Sequence, residues 1–220
     1  YRQLAVGDRA PVHTLHLRHG GTFRLGPHAK PRPIRGEQLF TDDPPGFVWV
    51  GRIQLGPGVW IDARDTSAAG RGAMQVLLDD TVELADVSGP HLDQGAALRL
   101  LAELPWYPTA LFDPRTVVWS AIDDDHACAT LRVGSAAPVS GTFTFGPDGL
   151  PVSMTGERYS DEGKLEPWGG TYADWRTVSG MRVPFEAEVS WLRPAGPFTY
   201  AHWRVESVEY DATIGGHPVA

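Results

Sequence analysis

Apolar and polar residues alternate with a period of two in several stretches of the chain. Glycine or proline interrupts the pattern roughly every eight to twelve residues, the spacing of successive antiparallel strands. Gly141 to Phe145 and His202 to Tyr210 alternate most cleanly, which gives each a dry face and a wet one. Phe47 to Leu55 and Val59 to Arg64 flank Gly56-Pro-Gly58 as one predicted hairpin. Met74 to Leu78 and Val82 to Val87 flank Asp79-Asp80 as a second. Further strands are predicted at Val117 to Ile122, Ala127 to Val133, Val139 to Phe145, Pro151 to Tyr159, Thr171 to Val178, Val183 to Trp191 and Tyr200 to Tyr210. The proline-rich segment from Pro27 to Pro45 is the least regular and reads as an extended arm or covering loop.

One stretch breaks the two-residue period. Ala96, Ala97, Leu100, Leu101 and Leu104 follow the i, i+3, i+4, i+7 spacing of a helix with one buried face. Asp93 is placed to cap it and Pro105 to stop it, and the run from Leu98 to Leu111 closes on Trp106-Tyr107 between prolines. The predicted fold is mainly β, a curved antiparallel sheet with this one principal helix laid against it. Nothing along the 220 residues resembles an interdomain linker, so residues 1–220 read as a single domain.

Composition narrows the chemistry. A net charge of -8 with scattered arginines has the wrong sign and layout for a phosphate backbone, so nucleic acid is not an expected partner. The single cysteine, Cys128, permits neither an intrachain disulfide nor a cysteine-based zinc site. His13, His16 and His19 are three apart, which alternates faces on a strand and leaves no third ligand nearby, so no metal is expected. There is no Gly-x-Ser-x-Gly elbow, no phosphate cradle and no dinucleotide fingerprint, so no cofactor is expected either. No window approaches the roughly 18 apolar residues of a spanning helix. The amino terminus lacks the layout of a signal peptide, which favours a cytoplasmic location; the chain begins at Tyr1, however, so a removed leader or anchor stays open. Oligomeric state is not legible.

What remains is aromatic and ionisable. Trp49, Trp60, Trp106, Trp119, Tyr159, Trp168, Tyr172, Trp191 and Tyr200 fall on many different elements, as the lining of a curved sheet would, and Arg99 joins them from the helix. Glu103 closes the helix among leucines, where partial burial would raise its pKa toward the range of a general acid or base. The alternative for Glu103 is a structural ion pair with Arg99 or Arg158. Tyr107 and His202 are the candidate partners of Glu103 in catalysis.

Several of these residues carry a resemblance. Phe47-Val-Trp49, Gly70-x-Gly72, Leu98-Arg-Leu-Leu-Ala-Glu103 with Trp106-x-Pro108, Val118-Trp119, Pro167-Trp168 and Gly180-Met-Arg-Val-Pro184 resemble a bacterial family catalogued as a domain of unknown function. The resemblance covers nearly the whole chain. It implies, by analogy of fold, an architecture similar to the periplasmic lipoprotein carriers: a half-barrel whose concave face is covered by helix and which holds acyl chains. Binding of a hydrophobic small molecule or lipid-like ligand between sheet and helix is the function this implies. The alternative is a cavity-type enzyme, a cyclase, isomerase or hydrolase of an apolar substrate, using Glu103 with Tyr107 or His202.

Overall fold

The computed structural model describes Leu4, residues 12–211, Thr213–Ile214 and His217–Pro218. The amino-terminal stretch on which the question of a leader turns lies outside those residues. Thirteen antiparallel strands form one open, curved sheet. The first six, β1 (Thr14–Phe23), β2 (Arg32–Asp42), β3 (Pro45–Gly56), β4 (Val59–Ala68), β5 (Arg71–Leu78) and β6 (Val82–Ser88), run as a meander from the middle of the sheet to one edge. The chain then crosses through the helix α1 (Pro90–Glu103), a 3-10 turn (Leu104–Trp106) and the short α2 (Pro108–Leu111).

Seven strands return from the opposite edge. They are β7 (Val117–Ala121), β8 (His126–Leu131), β9 (Val139–Phe145), β10 (Pro151–Tyr159), β11 (Leu165–Val178), β12 (Met181–Arg193) and β13 (Gly196–Tyr210). The two meanders join where β13 pairs with β1, so the first and last long strands meet in the middle.

This path requires curvature. Thirteen flat strands about 4.8 Å apart would hold the two edges about 58 Å from each other, whereas a helix of fourteen residues spans only about 21 Å. Because α1 leads from edge β6 toward edge β7, the sheet must curl until both arms reach the helix. Two glycines set how close they come. A Cβ on Gly72 of β5 would lie 2.6 Å from the Leu92 carbonyl oxygen, and one on Gly156 of β10 would lie 2.9 Å from Leu98 Cδ1. The helix therefore rests on backbone at both arms, and Leu98, Leu100 and Leu101 are sealed between them.

The mainly-β fold, the curved antiparallel sheet and the single principal helix expected from the sequence are all present, and both hairpins form as expected. Two details differ. Residues 32–42 are not a covering arm, because β2 pairs along its whole length with β1 on one side and β3 on the other. Ile34, Gln38 and Phe40 alternate inward there, and Pro33 sits near the start of the strand, where its missing N–H is tolerated. The helix also begins earlier than expected, at Pro90 after Gly89. Asp93 does not cap it; its Oδ1 instead accepts the Gly72 N–H over 2.7 Å and ties α1 to β5.

Candidate functional site

The inner face of the sheet is lined by large side chains, and the cluster beneath the carboxyl end of α1 is polar at its centre. Arg99 projects from α1 onto β3, where its guanidinium lies over the rings of Phe47 and Trp49, 4.7 and 5.1 Å from their centroids. Its Nη1 donates to Asp65 on β4 and its Nε to Glu103 Oε1 over 2.8 Å. Gln38 on β2 closes the ring: its Oε1 accepts from Arg99 Nη2 over 3.1 Å, and its Nε2 donates to Glu103 Oε2 over 2.6 Å. Every donor and acceptor in this ring is matched except Asp65 Oδ1, which is buried without a partner among the described residues. Burial opposes the Arg99 charge, but the Glu103 and Asp65 carboxylates outweigh it and hold the guanidinium pKa above its ordinary range.

Beside this ring, Trp49 Nε1 donates to His19 Nε2 over 2.8 Å, and the His19 ring meets Trp203 edge-on at 4.5 Å. His19 is 5% exposed. Desolvation is the main reason that its pKa is lowered to about 4; the Arg99 charge adds to the shift, and the hydrogen bond to the Gly20 carbonyl partly offsets it. The space left among Leu17, His19, Gln38, Arg99, Trp106 and Trp203 amounts to about 10 Å³, room for one water. Among the described residues, side chains fill the space beneath the carboxyl end of the helix where a ligand was expected.

A family model matches residues 1–203. The chain belongs to that family, described as a family of unknown function (DUF6544). No curated protein matches the sequence. Among solved structures the DUF6544 chain is similar to a LolA superfamily protein from Nitrosomonas europaea, at 12% identity and a TM-score of 0.49, over 97% of this chain and 94% of that one.

The expected site residues of this DUF6544 member separate into groups. Trp49, Arg99, Glu103 and Trp106 converge on the small interior gap. Trp106 donates its indole N–H to the Pro184 carbonyl over 2.7 Å, and the Tyr172 hydroxyl donates to the Ala102 carbonyl over 2.7 Å, which pins α1 and the turn after it. Burial pushes the Tyr172 pKa up.

A second group lies toward the amino-terminal end of α1. Trp168 donates to the Tyr200 hydroxyl over 3.0 Å and pairs across strands with Trp191. Tyr159 stacks on His91 at 3.8 Å beside the start of the helix. The remaining two stand apart. Trp119 lies on edge strand β7, donating to the Leu111 carbonyl, and Trp60 lies under Arg52 on the face of β4 turned away from the helix.

The three candidate catalytic groups are held by different partners. Both Glu103 oxygens are engaged in the ring with Arg99 and Gln38. The Tyr107 hydroxyl donates to the Val12 carbonyl over 2.6 Å, and burial pushes its pKa up. His202 precedes the inward-facing Trp203 on β13, and alternation turns it to the opposite face of the sheet. The structure does not bring these three side chains together.

His19, Gln38 and Asp65 were missed as site residues. Each is a polar residue at a position whose strand neighbours two away are buried: Leu17 before His19, Phe40 after Gln38, and Ser67 after Asp65. A polar side chain on the dry parity of a strand was the available signal.

Proposed function

We propose that this protein is a binding protein for an apolar, acyl-chain-like small molecule. The ligand lies against the concave face of the half-barrel near the amino-terminal end of α1. One observation supports this reading above the others: a contiguous set of aromatic side chains at that end is left only half-buried. Phe23 contacts Tyr200 at 5.6 Å, and Phe198 contacts Tyr200 at 6.2 Å; Trp203, 6.4 Å from Phe23, links this set to the interior gap beneath Arg99. Trp191 lies against the same core margin and is likewise partly exposed. Deeper rings such as Phe40 and Phe143 are sealed completely, and a second half-buried set, Phe112, Trp119 and Phe145, lies by the far edge strand, away from the arginines. A contiguous, partly exposed aromatic surface is a candidate interaction site.

Arginines line the margin of this surface, Arg193 paired with Glu166 over 3.3 Å and Arg24 held by the Ala29 and Pro27 carbonyls. Arg158 lies over Trp168 at 5.0 Å, and Arg24 and Arg193 lie over Phe198 at 5.7 and 5.9 Å. An acyl chain against the rings would place its acidic head within reach of these guanidinium groups. The gap of about 10 Å³ beneath Arg99 is too small for such a ligand, which supports binding at the mouth over binding under the helix.

Titration of the purified protein with a fluorescent fatty-acid probe tests the reading, with tryptophan emission as the second signal. Trp203→Ala and Phe23→Ala should each weaken the probe by about tenfold while the fold is retained. Unchanged affinity in both variants would contradict it.

A further inference from the structure

A second concavity lies on the opposite face of the sheet, turned away from α1. It encloses about 560 Å³, within the range of small-molecule sites. Its floor is backbone: Gly36 of β2 pairs with Gly51 of β3, which pairs with Ala63 of β4, and all three Cα–Cβ directions point to the other face. Its walls are two rows of side chains in cross-strand register. One row is Arg18, Glu37, Val50 and Arg64. The other is Arg35, Arg52 and Asp62.

The charges in these walls are unevenly satisfied. Arg52 is held by Asp62 and Asp80, and Arg18 lies 3.6 Å from Glu37. Arg35 and Arg64 have no ion-pair or hydrogen-bond partner among the described residues. Arg35 also stands directly opposite Arg52, an arrangement of like charges that costs stability in an antiparallel pair. Arg35 and Arg64 come from opposite walls, two strands and two residues apart, about 12 Å, a gap that two arginine side chains can close over the floor. The groove's arginines are matched in number by Glu37, Asp62, Asp80 and Glu206, but the pairing of Arg18 and Arg52 leaves Arg35 and Arg64 as the unpaired guanidinium groups of its two walls among the described residues. Glu206, at the end of the groove beside Gly20, also lacks a partner and closes that end to anions.

We propose that this groove binds a small organic anion, with its carboxylate or phosphate group held between Arg35 and Arg64. The forked guanidinium matches either group with two parallel hydrogen bonds. Val50, 41% exposed on the wall, supplies an apolar contact for the carbon skeleton. The site is separate from the aromatic mouth, since the sheet itself lies between them.

The test follows the arginine side-chain Nε–H resonances of the full chain by NMR during titration with citrate and, separately, inorganic phosphate, at constant ionic strength set by chloride. The expected result is saturable movement of the Arg35 and Arg64 signals by at least one of the two anions. Which anion binds more tightly tells a carboxylate ligand from a phosphate one. Arg35→Gln and Arg64→Gln should each weaken binding about tenfold, and Arg115→Gln, on a distant loop, should leave it unchanged. The proposal is overturned if neither anion moves those signals at about 10 mM, or if binding survives in the double variant. Loss of the fatty-acid probe from the mouth in Trp203→Ala would leave anion binding here intact, so the two proposals fail independently.

Discussion

Trp49 donates its indole N–H to His19 Nε2 over 2.8 Å, and this fixes both the tautomer and the charge of the histidine. An indole can only donate, so Nε2 must be unprotonated and the ring proton must sit on Nδ1, facing the Gly20 carbonyl 3.4 Å away. Burial lowers the His19 pKa to about 4, and a proton on Nε2 would set donor against donor. Between pH 6.5 and about 4 the unfolded chain therefore binds a proton that the native state refuses. The associated stability is fully present above pH 6.5 and is lost as pH falls toward 4, by about 3 kcal/mol. Denaturant unfolding across this range should show that slope, and His19→Gln, whose amide oxygen can still accept from Trp49, should remove it.

The ring around Arg99 makes a different prediction. Arg99 and Glu103 have side chains only 14% and 12% exposed, and Asp65 is 11% exposed. Arg99→Met leaves two buried carboxyl groups without their cation, and should cost about 3–5 kcal/mol. Replacing all three together, Arg99→Met with Asp65→Leu and Glu103→Leu, should cost much less than the single change, because no uncompensated charge remains. Thermal unfolding of the two variants decides this, and equal losses would mean that packing of the Arg99 stem, not the ion pairs, carries the stability.

Gly72 is the contact at which β5 meets α1. Gly72→Ala places a methyl group 2.6 Å from the Leu92 carbonyl oxygen, which belongs to rigid helix backbone, so the helix must shift. The expected loss is about 1–3 kcal/mol, measured by denaturant unfolding. The Asp93–Gly72 hydrogen bond should weaken with it, seen as faster exchange of the Gly72 amide.

Most of the architecture was legible from period and punctuation. Strand alternation and the glycine and proline breaks located the strands, because a half-buried sheet imposes a two-residue period on any sequence that forms it. The curvature was expected from the single helix and from aromatics spread over many strands, and the half-barrel form from resemblance; physically it follows from α1 having to span two edges. The proline content of residues 27–45 misled, since Pro33 and Pro45 lie at the ends of strands and Pro44 in the turn between β2 and β3, where ladder hydrogen bonds are not lost.

The site was legible only in part. Arg99, Glu103 and Trp106 share one helix and its end, so their nearness is written in local spacing. Gln38 and Asp65 join them from 61 and 34 residues away, through register that no local pattern encodes. His19 sits just past an irregularity in the β1–β13 pairing, which further hides its facing from simple alternation.

If the aromatic mouth receives an acyl chain, affinity should rise with chain length. Each buried methylene contributes about 0.8 kcal/mol, about a fourfold gain per carbon until the chain outgrows the surface. Calorimetric titration with saturated fatty acids of increasing length reads this directly.

The most direct test of the central claim is native mass spectrometry of the protein purified from its own host, followed by extraction and readdition of whatever is bound. The expected result is a co-purifying apolar molecule that rebinds the wild-type chain and fails to rebind Trp203→Ala. An empty protein that also ignores fatty-acid probes of every length would contradict it.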